Sequence, residues 1–187
     1  MQILCLAILG KTILRNSMSP ELEKILVQRY PDIFRDFGGD PSQTCMAFGL
    51  AVGDGWFDII DVLCDHLTRD LTRAQQHLKY LKKQDNVSEL ELLVQEEKIE
   101  QAQDQVPQAA QVKEKFAGLR FYVNGATEEQ YALIAMAESL SYCVCENCGN
   151  KGKVYSLGWA RTLCSPCAVK QYGQDKVDRF EEETHQS

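Results

Sequence analysis

Two cysteine pairs with the same internal spacing constrain this chain more than any other feature. Cys145 and Cys148 form the first pair, Cys164 and Cys167 form the second, and fifteen residues separate the pairs. Two thiolates three positions apart can bind one side of a tetrahedral ion, and a second pair completes its coordination. The sequence therefore predicts that these four cysteines bind one Zn²⁺ ion.

The residues between and after the pairs predict a compact finger. Val154-Tyr155 and residues 159–163 can pair as short strands around a turn at 156–158, and a helix is expected over 168–180. The first cysteine pair with its turn at 149–152 (the knuckle) is followed by the hairpin and by a second ligand pair that begins a helix. This order resembles a treble-clef or zinc-ribbon finger. Four thiolates fill the coordination sphere, so the zinc is expected to be structural. A disulfide framework is the weaker alternative, because two pairs of such closely spaced cysteines are poorly placed to cross-link a fold.

Charge and hydropathy limit the classes of function. The chain has 187 residues, is 44% hydrophobic and carries a net charge of −7. Such a chain can bury a core, but it lacks the basic surface that coats DNA without regard to sequence. Residues 1–10 are apolar but too few to span a bilayer, and the positive charges of Lys11 and Arg15 follow this apolar run. Residues 1–17 are therefore interpreted as an N-terminal extension, and no membrane association is expected.

A helical N-terminal segment is predicted over 18–56, and a heptad repeat follows it. Apolar residues spaced alternately four and three apart predict a helix that buries one narrow stripe. They are Ile60, Cys64, Leu67, Leu71, Ala74, Leu78 and Leu81. When the heptad is continued in the same register, its core positions become polar near residues 84–88. Ser88 and Glu91 form a capping-box pattern there, which marks the start of a new helix. Helices over 57–83 and 89–105, folded as an antiparallel, coiled-coil-like hairpin across 57–106, are favoured. One unbroken helix that forms a homodimeric coiled coil remains the alternative.

The rest of the chain predicts a small mixed unit and the finger. Residues 111–116 are expected to form a polar turn or short helix, and 118–123 an aromatic and β-branched strand. A helix over 128–142 completes a strand–helix unit spanning 107–142. The finger occupies 143–187, including a C-terminal helix and an acidic tail expected to fray. The fold class is therefore mainly α with a small β component.

Three sequence blocks together resemble a group of small phage and prophage proteins of unassigned function. They are Tyr30–Phe34 with Gly53–Phe57, then Val112–Tyr122, and then the finger. That group often has a second glycine where this chain has Ala117. The resemblance implies a phage-encoded protein with a structural zinc that acts in the host cytoplasm. It supplies no catalytic residues.

Two classes of function follow. The first is a protein-binding module that inhibits or redirects a host protein, such as a nuclease or defence complex. The alternative is nucleic-acid binding through the finger hairpin, where Lys151, Lys153, Trp159 and Arg161 would contact phosphates and bases. An enzyme is not expected, because the sequence contains no phosphate loop, nucleophile elbow or His-Glu zinc motif.

Overall fold

The computed structural model of the chain describes residues 17–185. Counting the short 3-10 segments Cys45–Phe48 and Asp54–Trp56, slightly more than half of these residues are helical, and the strands form two antiparallel pairs. The helices are α1 (Pro20–Arg29), α2 (Phe57–Leu67), α3 (Arg69–Leu81), α4 (Glu89–Asp104), α5 (Glu128–Ser141), α6 (Ser165–Tyr172) and α7 (Gln174–His185). The strands are β1 (Gln108–Lys115), β2 (Gly118–Asn124), β3 (Lys153–Tyr155) and β4 (Arg161–Leu163).

This architecture confirms the prediction of a mainly α fold with a small β component. Of the extension predicted over 1–17, residues 1–16 lie outside the described residues. Within 17–185, no helix is both long and apolar enough to cross a bilayer.

The helix predicted over 57–83 is in fact two helices that meet at Thr68. The Thr68 hydroxyl donates a hydrogen bond to the backbone oxygen of Cys64 at 2.9 Å. Its backbone has φ −104° and ψ 4°, outside the helical range. A threonine hydroxyl that bonds to the carbonyl one turn earlier bends a helix, and hydropathy spacing does not reveal such a bend.

α3 and α4 pack against each other as a helical hairpin. The chain reverses over residues 82–88, and Ser88 and Glu91 form the predicted capping box at the start of α4. The Gln95 side-chain amide donates to the backbone oxygen of Ala74 at 2.9 Å, which satisfies the buried polar residue of the stripe. α4 therefore covers the α3 part of the heptad stripe within one chain. Homodimerisation through this stripe stays a prediction.

β1 corrects the expectation of a polar turn or helix over 111–116. Gln108–Lys115 pairs with β2, and the register shifts between Ala109 and Gln111. Ala109 and Val112 are the buried residues of β1, so the shift replaces the strict alternation that would have indicated a strand. Both edges of this two-stranded sheet are closed. Ala51 bonds to the backbone of β1, and the side chains of Glu138 and Ser141 accept hydrogen bonds from β2 amides.

The finger has a second, smaller core, which the tail helps to form. Val177 of α7 is buried there with Tyr155 and Leu163, and Phe180 packs against them. The Tyr155 hydroxyl donates to Glu181 at 2.7 Å. The expectation of a frayed tail is corrected, because this segment is a helix through His185 whose apolar residues cover the finger hairpin.

Leu71 provides a test of the hairpin. It is buried on α3, whereas Leu90 on α4 is 69% exposed. Leu71→Ala should lower the free energy of unfolding by about 2–5 kcal/mol, because it leaves a cavity beneath α4. Leu90→Ala is the matched control and should change it by less than about 0.5 kcal/mol. Urea denaturation measures both, and equal effects of the two substitutions would contradict the hairpin packing.

Candidate metal centre

The four predicted cysteine ligands converge at one point. The sulfur atoms of Cys145, Cys148, Cys164 and Cys167 all lie within 4.8 Å of one another. The Cys148 Sγ is 3.5 Å from the Cys164 Sγ and 3.6 Å from the Cys167 Sγ. Four sulfurs bound to a tetrahedral zinc at about 2.3 Å would be about 3.8 Å apart. The cluster therefore fits one tetrahedral metal ion, and no other group in residues 17–185 meets the same criterion.

A tight turn after Cys145 prepares the first pair for metal binding. The Gly149 amide donates to the Cys145 backbone oxygen at 2.9 Å, and Gly149 has φ +76°, which glycine adopts without strain. The backbone N–H of Asn150 donates to the Cys148 sulfur and lowers the pKa of Cys148 to about 7. Burial raises the pKa of Cys145, while the amides of Cys164, Cys148 and Asn147 oppose that rise. Backbone donors aimed at these sulfurs favour the thiolate form that binds metals.

The second pair lies where strand β4 passes into helix α6. Cys164 is the residue before α6, and Cys167 lies in its first turn. Burial, and then the neighbouring cysteine sulfurs, raise the pKa of Cys167, so this thiol would release its proton when a metal binds. Cys143 is exposed and outside the cluster, so it is not a ligand in this arrangement.

The knuckle docks onto the helical body through two glycines. The Gly55 amide donates to the Glu146 backbone oxygen at 2.8 Å, and the Gly53 amide donates to a Glu146 carboxylate oxygen at 3.2 Å. A Cβ on Gly55 would overlap the Cys145 backbone oxygen, and one on Gly53 would overlap that of Glu146. Only glycine permits this approach.

Neighbouring residues of the same loop support the docking. Trp56 is completely buried, and its indole N–H donates to the Val144 backbone oxygen at 2.8 Å. Asp54, in the short 3-10 turn before α2, accepts a hydrogen bond from the Ser19 amide at 2.6 Å.

A buried ion pair completes the contact, and sequence reasoning missed it. The Arg161 guanidinium donates two hydrogen bonds to one carboxylate oxygen of Glu146, at 3.0 and 3.2 Å. It also donates to the Asn147 side chain at 2.8 Å. Burial raises the pKa of Glu146, and Arg161 opposes that rise. The sequence gives only a weak indication of this ion pair. One charged residue, Glu146, lies between the two cysteines of the first pair, and another, Arg161, lies in the predicted hairpin.

Two of the four residues predicted to bind nucleic acid are bonded to acidic side chains. Arg161 is buried in its ion pair, which removes it from contact with any phosphate. The Lys153 Nζ is 3.0 Å from a Glu181 carboxylate oxygen. Lys151 and Trp159 are exposed, and Trp159 is 75% accessible to solvent.

The body also carries an apolar groove between α2 and α5. Its volume is about 260 Å³, and its exposed apolar side chains are Val62, Met136 and Leu140, at 58%, 57% and 50% exposure. The remaining lining residues are Asp58, Ile59, Leu63, His66, Leu133 and Ala137. Sequence reasoning did not single out this groove, because it depends on how two distant helices pack.

The chain matches no protein-family model, no curated protein and no solved structure at a significant level. The resemblance to phage proteins therefore stays a prediction.

Removing one ligand tests the metal centre. Cys148→Ser should release the metal and lower the Tm by roughly 10 °C or more, because binding a structural metal contributes directly to folding. Cys143→Ser is the matched control and should keep both metal content and Tm. Elemental analysis and thermal unfolding give the two readouts. One tightly bound zinc per chain in Cys148→Ser would refute the ligand assignment.

Removing Arg161 tests the buried ion pair. Arg161→Met should lower the free energy of unfolding by about 3–5 kcal/mol, because Glu146 is left charged and buried. Burial in the folded state already raises the pKa of Glu146, and losing Arg161 should raise it further. The Glu146 carboxylate therefore binds a proton more tightly in the folded state than in the unfolded state. The loss relative to the unsubstituted protein should therefore be smaller at about pH 5 than at about pH 7.

Denaturation at both pH values checks this expectation. Adding Glu146→Gln to Arg161→Met should recover part of the stability, since it removes the unpaired charge. A loss that does not depend on pH and is not relieved by the second substitution would show that Arg161 acts through packing alone.

Proposed function

We propose that this protein is a zinc-stabilised protein-binding module that holds an amphipathic helix of a partner in the α2–α5 groove. The apolar groove is the observation that carries the proposal. Contiguous exposed apolar surface is typical of interaction sites, and a groove between two helices fits the apolar face of a third.

The dimensions of the groove match such a helix. From Asp58 to His66 the lining of α2 rises about 12 Å, at 1.5 Å per residue. That length accommodates apolar anchors at positions i, i+3 or i+4, and i+7 of a partner helix, which span about 10.5 Å. Met136 can adapt its shape to such anchors because its side chain is unbranched and flexible.

The charges on the groove rim indicate the polar residues of the partner. Asp58, Val62 and Asp65 follow one another at helical spacing along the outer side of α2, and both carboxylates are exposed. The opposite side of the groove is formed by Met136 and Leu140. A partner helix with lysine or arginine along one edge of its apolar face would complement this arrangement.

The biological setting of the proposal rests on the sequence blocks that resemble phage proteins. In that setting the protein is phage-encoded and acts in the host cytoplasm as an inhibitor or adaptor of a host protein, such as a nuclease or defence complex. The four-cysteine site would hold a structural Zn²⁺ in a treble-clef-like finger, and the protein would not be an enzyme. The element order supports this finger, since a knuckle, the β3–β4 hairpin and a ligand-bearing helix follow one another.

Nucleic-acid binding through the finger hairpin alone has less support. Arg161 is committed to Glu146, and Lys153 is paired with Glu181. Only two of the four residues predicted for that role remain available.

Cross-linking from the groove tests the proposal. A photoreactive amino acid at position 136 should cross-link to an amphipathic helical segment of one host protein, with basic residues beside its apolar face. A synthetic peptide of that segment should bind the purified protein with a negative heat-capacity change, as expected for burial of apolar surface.

Substitutions in the groove provide the control. Val62→Asp should weaken peptide binding by about tenfold or more, since it places a charge on the apolar contact. Leu93→Asp, on the exposed side of α4, should leave binding unchanged. If the cross-linked segment is not an amphipathic helix, or if Val62→Asp binds it as well as the unsubstituted protein does, the groove is not the binding site.

A further inference from the structure

The N-terminal part of the chain enters the fold beside one end of the α2–α5 groove. Met18 is buried, and its amide donates to the Leu50 backbone oxygen at 3.2 Å. The Ser19 amide donates to a carboxylate oxygen of Asp54 at 2.6 Å. Asp54 lies four residues before Asp58, the first residue of α2 that lines the groove. The point where the preceding chain joins the fold is therefore about one helical turn from the groove.

The start of α2 and the end of α5 meet at this end of the groove. The Trp56 indole N–H, just before α2, donates to the backbone oxygen of Val144, three residues after α5. Leu140 therefore lines the groove near Asp58, at the end where the chain enters the fold. Three extended residues cover about 10 Å, so residues 15–17 are long enough to lead the preceding chain into the groove.

The sequence before residue 15 has the pattern that the proposed function requires of a partner helix. Several of its apolar residues are spaced three and four positions apart, which would place their side chains on one face of a helix. They are Ile3, Leu6, Ala7, Ile13 and Leu14, and Gly10 continues the same spacing. Lys11 follows Gly10 and Arg15 follows Leu14, so both cations would lie along one edge of that face. We call residues 3–14 the N-terminal segment.

The length of the N-terminal segment fits the groove. On a helix, the eight steps from Leu6 to Leu14 would rise about 12 Å, which equals the rise of the groove lining from Asp58 to His66. Occupation of the groove would remove exposed apolar side chains of both the groove and the segment from water. Burial of apolar surface is the main favourable term in association of this kind.

The charges of the chain also fit this contact. Asp58 and Asp65 are exposed along the rim of the groove, and neither belongs to an ion pair within residues 17–185. Lys11 and Arg15 would supply the cationic edge that complements these two carboxylates.

We propose that the N-terminal segment occupies the α2–α5 groove of its own chain and competes there with the partner helix. This inference rests on the proposed function, because it assigns the regulation of the same groove. A segment joined to its site by a few residues has an effective concentration in the millimolar range, of order 1 mM or more. A partner helix must displace the segment, and its apparent Kd rises as the fraction of open groove falls.

Cross-linking in the purified full chain tests the proposal without any partner. A photoreactive amino acid at position 136, and separately at position 62, should cross-link to residues 3–14. The product should have the mass of one chain, and peptide mapping by mass spectrometry should locate the cross-link. The same amino acid at position 93, on the exposed side of α4, is the control and should not reach the segment.

Substitutions in the segment test its apolar face. Leu6→Asp with Leu14→Asp should reduce the cross-linked fraction about fivefold or more, since both charges would lie against apolar side chains. Leu4→Asp with Ile8→Asp is the matched control, because these residues would lie on the opposite side of the same helix. This second variant should keep most of the cross-linked fraction.

Exchange of charges tests the contact at the rim. Lys11→Glu with Arg15→Glu should reduce the cross-linked fraction about twofold or more, because like charges then face each other. Adding Asp58→Lys and Asp65→Lys to that variant should restore the fraction. Restoration would identify these carboxylates as the partners of the two cations.

A peptide added in solution tests the competition. The probe is a labelled synthetic peptide of residues 2–16 that carries Cys5→Ser to prevent its oxidation. Fluorescence anisotropy should show that it binds the full chain with Leu6→Asp and Leu14→Asp about tenfold or more tightly than the unsubstituted chain. In the unsubstituted chain the tethered segment competes with the peptide.

The outcomes separate this inference from the proposed function. No cross-link to residues 3–14, a cross-linked product with the mass of two chains, or equal cross-linking by the two double aspartate variants would overturn the inference. If position 136 captures an amphipathic helix of a host protein but never residues 3–14, the proposed function holds and this inference fails. If position 136 captures only residues 3–14 of its own chain, this inference holds and the proposed partner is refuted.

Discussion

The contact between the cysteine knuckle and the helical body is the interaction on which the rest of the structure depends. Glu146 lies between two of the candidate metal ligands, yet it bonds to Gly53, Gly55 and Arg161. A buried carboxylate of this kind is stable only where its partners are held in place, since an unpaired charge in the interior is strongly unfavourable. The metal would fix the knuckle, and the knuckle places Glu146. The finger is thereby joined to the body as one unit instead of hanging from a linker.

This contact also explains how the α2–α5 groove keeps its shape. Trp56, bonded to Val144, joins the start of α2 to the chain that leaves α5, and those two helices form the groove. Thr162 of the finger donates to the Ala117 backbone oxygen at 2.7 Å, and the Trp159 indole N–H donates to Glu114, so the finger also contacts the β1–β2 turn. The groove therefore keeps its shape partly through contacts between the finger and the body.

The sequence predicted those features that depend on local spacing. The cysteine pairs, the capping box at Ser88 and the helical stripe around Leu71 each follow from residues a few positions apart. Features that depend on distant contacts were missed. β1 has little alternation of its own and is defined by its pairing with β2 and by Ala51. Arg161 was interpreted as a surface cation because its partner lies fifteen residues away, and the role of Gly53 and Gly55 becomes visible only when Cys145 and Glu146 lie against them.

Hydrogen exchange measured with and without a metal chelator tests most directly whether metal binding holds the finger on the body. In the metal-bound protein the amides of Gly53 and Gly55 should be protected, since each donates to Glu146 across this contact. Chelation should remove that protection while the amides of α3 and α4 stay protected, because the hairpin packs without the finger. Unchanged protection at Gly53 and Gly55 after the metal is removed would contradict the account.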